Sequence, residues 1–138
     1  MKRNTLRRAY LSEATFMLVI ARLAVRILPA AQVFAWANRP LRRIRRFAVD
    51  EKRWVAWSVE TIGAKPWMNA MCLPRALAAQ AMLRRRGIAS RLCLGVACDE
   101  GAMAAHAWIE VGQDVIVGGA EVTRFTRLTQ FGGSVIQS

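Results

Sequence analysis

The feature that most limits what this chain can fold into is a change of hydrophobic period at Gly87. Before it, the stretch from Cys72 through Leu77, Met82 and Leu83 to Arg86 reads as a helix. After it, Ser90 to Cys98 alternates, with Leu92, Leu94 and Val96 on one face and Arg91, Cys93 and Gly95 on the other. Pro74 fits only in a first helical turn, where its missing N–H would have had no partner, so the helix starts at or near Cys72. Arg84, Arg85 and Arg86 suit the negative end of that helix, and Gly87 stops it. Ala104 to Val111 is a second strand, Gly112-Gln113 a tight turn, and Asp114 to Gly118 the return strand. Helical patterns lie upstream of Gly87 and strands downstream. That order predicts an α+β domain with N-terminal helices and a small antiparallel sheet.

The upstream part carries the first helices. Residues 1–12 are basic and polar, and an apolar run then extends from Ala14 to Leu28, interrupted by Arg22 and Arg26. Its uncharged part is far shorter than the ~20 residues a bilayer span needs. No transmembrane segment is expected, and Arg22 breaks the apolar core that a signal peptide would require. Arg22 and Arg26, at i and i+4, share one helix face. An amphipathic helix packed on the domain is therefore expected, with a membrane-surface helix as the alternative. Pro29 ends it. Val33 to Trp36 with Leu41 and Ile44 suggests a second short helix, beside the basic cluster Arg39, Arg42, Arg43, Arg45 and Arg46. Trp54, Val55, Trp57, Ser58 and Ile62 have helical spacing up to Gly63, and Lys65 to Met71 is a loop into Cys72. Beyond Gly119 the tail shows one more apolar cluster, Phe125, Leu128 and Phe131, and then frays.

With 138 residues the chain is expected to form one domain, its helical part at 1–47 and its catalytic core at 48–131. Lys and Arg number 21 against 9 Asp and Glu, a net charge of +12 that points to an acidic partner. A charge run is ordinarily a solvated face, and no groove-reading motif accompanies it, so specific nucleic-acid recognition is not expected. Cys72, Cys93 and Cys98 lack CxxC spacing, which argues against disulfides or a zinc knuckle and for a reduced, cytoplasmic setting. A single histidine cannot build a usual metal site, and no cofactor is implied.

Two residues carry the chemistry. Cys72 opens a helix, whose unpaired N–H groups and positive pole stabilise a thiolate, the nucleophilic form. His106, the chain's one histidine, lies on the strand Ala104 to Val111. Alone, either residue reads as ordinary packing. Together they are the parts of a thiol–imidazole pair. Cys93 and Cys98, away from any helix start, read as structural thiols.

At this point the pattern Cys72-Leu73-xx-Ala76-xxx-Gln80-xx-Leu83-xxx-Gly87, a strand with Leu94-Gly95-Val96, and His106-Ala107-Trp108-Ile109-Glu110-Val111 resembles the transglutaminase-like, papain-like cysteine peptidases of lasso-peptide biosynthesis. The likeness runs from about residue 11 to about 131 and includes the helix ending Arg26-Ile27-Leu28-Pro29. It implies a leader peptidase, the B2 protein, that cuts a ribosomally made precursor peptide with the help of a separate leader-binding B1 protein, the RiPP recognition element. An asparagine-synthetase-like lasso cyclase is a further implied partner. The family commonly carries Asp at the position held here by Gly118. Extending the hairpin register from a two-residue turn puts residues 117, 119 and 121 on the His106 face. Glu121 is then the nearest carboxylate and the expected orienter, holding Nδ1 so that Nε2 meets Cys72. Glu110 and Asp114 are too far along the hairpin. Trp67, Asn69 and Trp108 are the expected substrate-lining residues. A non-catalytic peptide-binding module and an acyl-transferring transglutaminase remain as alternatives.

Overall fold

The computed structural model describes residues 2–40, 49–99, 101–119 and 125–132. Among the described residues, four helices precede four strands: α1 Arg3–Ile27, α2 Ala30–Ala37, α3 Val49–Gly63, α4 Cys72–Arg85, β1 Arg91–Asp99, β2 Ala102–Val111, β3 Asp114–Val117 and β4 Thr126–Gly132. The strands form one antiparallel sheet in the order β3-β2-β1-β4. The α+β class read from the change of period holds.

Helix α1 is longer than its apolar run, because the helical stripe begins earlier. Tyr10, Ala14, Leu18 and Ala21 recur on one buried face, and the Tyr10 ring stacks on Trp54 of α3 at 5.6 Å. That anchor draws the basic first turns into the helix, where exposed arginines are good helix formers. The helix stops before Pro29, which pushes Leu28 into the extended region. Helix α2 begins at once at Ala30. Leu41, Ile44 and the arginines at 42, 43, 45 and 46 lie outside the described residues.

Helix α4 packs against α1, α3 and β2 and is the centre of the core. Gln80 is fully buried and donates from Nε2 to the Ala37 carbonyl at 3.2 Å, tying α4 to α2. In the sheet, Leu92 faces Ile109 and Leu94 faces Ala107, and these residues join the helical core. Alternation puts Arg91, Cys93, Gly95, His106, Trp108 and Glu110 on the opposite, outer face. Leu128 and Phe131, from the apolar cluster of the tail, lie on β4, which pairs with β1 through a bulge at Leu94/Gly95. Phe131 anchors it on the core side by stacking on Phe34 of α2 at 4.8 Å.

The hairpin starts in the expected register, with Val111 opposite Asp114 and Glu110 opposite Val115 across Gly112, whose φ is +60°. A bulge then shifts the register, and Ile109 pairs with Val117. Val117 is buried in the core beside Ile109, so the expectation that it shares the His106 face is wrong. The extra residue turns the strand over.

On the outer face, Glu110 is buried among cations. It accepts from Trp108 Nε1 at 2.8 Å, from Arg91 at 3.0 Å and from Arg127. Burial alone would raise its pKa, but the Trp108 and Arg91 hydrogen bonds and the Arg127 charge outweigh it and hold the carboxyl below the usual value. Because its folded pKa is depressed, the stability it contributes is present above the ordinary value of 4.5 and is lost as the pH falls through the folded one. Glu110→Ala is expected to cost about 1–3 kcal/mol, because the buried Trp108 N–H and the part-exposed Arg91 and Arg127 lose their acceptor. In urea titrations at pH 7 and pH 3, wild type and variant should differ less at the lower pH; an equal gap at both would exclude the charge as the cause. Cys93, beside this network, has its thiol pushed up to about 11 by burial and by the Glu110 charge. It is a structural thiol.

Candidate active site

The loop entering Cys72 is clamped by two arginines from different helices. Arg22 of α1 donates to the Met68 carbonyl at 2.9 Å. Arg75, on α4 itself, donates to the carbonyls of Ala70 at 2.8 Å and Gly63 at 3.1 Å. A Cβ on Gly63 would lie 2.8 Å from Arg75 Nε, so a larger residue there would displace the Arg75 side chain from its carbonyl partners. Asn69 makes the turn with φ of +43°, a left-handed conformation that Asn tolerates better than most side chains. Asn69 is thus a turn residue, and Trp67 stands 63% exposed beside it. Either is accessible to a peptide passing the mouth of this loop.

At the start of α4, Met71 is extended and no side chain caps the helix. The first helical bond is Arg75 N–H to the Met71 carbonyl at 3.2 Å. Cys72 is therefore the first residue of the helix, half-buried at its positive pole.

His106 is half-buried on the outer face of β2. Its Nε2 lies 2.8 Å from the Gly118 carbonyl oxygen. A carbonyl only accepts, so Nε2 carries the proton and Nδ1 is the nitrogen left for other work. This reverses the expected assignment, in which Nδ1 was held and Nε2 presented. The ring stacks on Phe125 at 4.9 Å and on Trp108 at 6.0 Å. Gly118 can approach so closely because it has no side chain: at φ of +79°, a Cβ would meet the Ala107 carbonyl at 2.9 Å and His106 Nε2 at 3.3 Å.

Helix α4 leads into β1 through the short segment 86–90, and β1 begins at Arg91 opposite Glu110. The C-terminal end of α4 therefore sits toward the Glu110 end of β2. No hydrogen bond joins Cys72 to His106 among the described residues, and strand alternation puts His106 on the face away from the helical core.

Of the other expected site residues, Glu121 lies outside the described residues. Trp108 is a correction: it is 2% exposed, hydrogen-bonded to Glu110 and covered by Arg127 at 5.8 Å, and so supports His106 rather than lining a surface. Its ring needs Gly95 on the facing strand, where a Cβ would come within 2.9 Å. Asp114 is engaged by Lys52 at 2.7 Å. Sequence reasoning missed Phe125, Arg75 and the Gly118 carbonyl. The Gly118-Gly119 pair was the one available signal for the last of these.

A family model described as the transglutaminase-like superfamily matches residues 14–130, which include Cys72, His106 and Gly118. The chain belongs to the transglutaminase-like superfamily. Members of this superfamily are usually cysteine-dependent enzymes and include cysteine peptidases. No curated protein and no solved structure matches the chain. In a transglutaminase-like domain a reactive thiol is the group to look for, and the three cysteines of this one differ sharply in setting. Cys93 is buried, Cys98 exposed and Cys72 half-buried at a helix pole. Mapping of iodoacetamide adducts on the native protein should find Cys72 and Cys98 modified and Cys93 untouched until the fold opens; early labelling of Cys93 would contradict the burial described above. Among the described residues no helix is long and apolar enough to cross a membrane.

Proposed function

We propose that the protein is a cysteine peptidase that removes the leader from a ribosomally made lasso precursor peptide, with Cys72 as nucleophile and His106 as base and acid. The observation that carries this reading is the His106 Nε2–H···O=C bond to Gly118. It gives the imidazole, through the backbone, the orienting acceptor that the likeness to lasso leader peptidases leads one to expect on a side chain.

In the mechanism, Nδ1 of His106 takes the Cys72 proton. The thiolate adds to the scissile carbonyl, and the oxyanion is held at the Cys72 backbone N–H and the positive end of α4. Nδ1–H then protonates the departing amine, leaving a thioester. Water, deprotonated by Nδ1, attacks the thioester and releases the leader carboxylate and the thiol. Throughout, Nε2–H stays on Gly118, which fixes the tautomer. A separate leader-binding protein presents the precursor, and the basic surface assists docking. Leader release should therefore rise when that partner is added and fall with salt, since exposed charges are screened beyond ~8 Å at physiological ionic strength.

A second reading has its own support. The absence of a Cys72–His106 hydrogen bond and the glycine at position 118 suit a peptide-binding module that no longer cuts. Mass spectrometry of precursor incubated with the protein and its leader-binding partner separates the two. Release of leader by wild type, and none by Cys72→Ala, is the expected result. Intact precursor throughout, bound equally by both proteins, would establish the binding module. Leader transferred to an added amine in place of water would identify an acyltransferase instead.

A further inference from the structure

Helix α1 is apolar on two sides, and only one of them is covered. Opposite the buried stripe, Phe16, Val19, Ile20, Leu23 and Ile27 recur at i, i+3, i+4, i+7 and i+11, between 45% and 74% exposed. A helix apolar all round is normally buried. At Ile20 this second stripe meets a groove of about 590 Å³ between α1, α2 and α4, where Ala21, Ala24 and Ala81 are small enough to admit a backbone closely and Trp36 forms a wall.

The groove has a basic side. Arg84 donates to the carbonyls of Ala37 and Arg39, which leave its charge in place. Arg85 and Arg86 share the single carboxylate of Glu13. The side formed by Arg84, Arg85 and Arg86 against Glu13 is thus net positive.

From this arrangement we infer that the α1–α2–α4 groove is a docking site for an acidic amphipathic helix of a second protein, its apolar face in the groove and along the Phe16–Ile27 stripe, its carboxylates at Arg84 and Arg85. Charge complementarity selects this occupant. A second copy of the chain would bring another +12 and the same arginines to the contact. A bilayer surface could cover the convex stripe but could not enter a concave groove. The stripe spans Phe16 to Ile27, about 17 Å at helical rise, so three turns of a partner helix fill it. The inference stands apart from the catalytic reading, since none of these residues takes part in the proposed chemistry.

The test uses a fluorescein-labelled 14-residue helical peptide with Leu on one face and Glu on the other, and its counterpart with Lys in place of Glu. Fluorescence anisotropy with the full chain should show the Glu peptide binding and the Lys peptide not. Ile20→Asn with Leu28→Asn, both at exposed positions, should weaken the Glu peptide at least tenfold while thermal melting stays unchanged. Arg85→Ala should weaken it severalfold and reduce its salt dependence. Equal binding of the two peptides, or of neither, overturns the inference. So does a concentration-dependent dimer that Ile20→Asn abolishes, which would make the occupant a second copy, or cosedimentation with anionic vesicles lost on Leu23→Asn, which would make it a membrane. Because Cys72 alkylation is read separately, failure here is distinct from failure of the peptidase reading.

Discussion

Cys72→Ala is expected to abolish leader release while the protein melts within a degree or two of wild type. The thiol sits half-buried at the first position of α4, and its loss removes one sulfur atom from the rim of the core. The helix keeps its first backbone bond, Arg75 N–H to Met71, and the loop before it keeps the clamps from Arg22 and Arg75. Nothing else at the α4 pole can form the thioester, so the drop should be the largest of any single substitution, on the order of 10³-fold or more. His106→Ala should approach it, because the two act as a unit and their losses do not add. Single-turnover cleavage with excess enzyme measures both. Appreciable release by Cys72→Ala would sink the nucleophile assignment outright.

The second large effect is expected at Gly118. Gly118→Ala meets two penalties at once: a left-handed φ, which costs a non-glycine residue about 1–2 kcal/mol, and a Cβ pressed to 2.9 Å from the Ala107 carbonyl and 3.3 Å from His106 Nε2. The ring or the strand end must shift. Since a displacement of about 1 Å at a catalytic group can cost 10²-fold, kcat should fall by that order while KM changes little. Gly118→Asp is the sharper variant. It restores the residue common in the resembled peptidases, yet it carries the same backbone strain, and its expected result is a loss of both melting temperature and cleavage. A rise in kcat with an unaltered melting temperature would show that a carboxylate, and not the backbone carbonyl, is what this histidine needs.

Those two residues also divide what could be read from the chain. The start of α4 was legible because it is local: Pro74 tolerates only a first turn, and Gly87 marks the stop. The alternation of β1 and β2 and the two-residue turn at Gly112-Gln113 were legible for the same reason, each depending on neighbours in sequence. The superfamily, too, follows from residues 14–130 read as a string.

Other features depend on residues far apart in the chain. The early start of α1 rests on Tyr10 meeting Trp54, and β4 rests on Phe131 meeting Phe34 and on pairing with β1. The bulge after Glu110 is a mismatch between two strands, absent from either strand alone, and it turned the register on which Glu121 was chosen. The nitrogen that His106 presents was decided by a backbone carbonyl, a group every residue carries and no sequence singles out. Sequence by itself therefore determined the fold class, the helix that begins at Cys72 and the strand that bears His106. Tertiary structure alone decided which face His106 occupies, what orients it and which apolar side of α1 is left uncovered, because each is settled by contacts between segments that local periodicity does not encode.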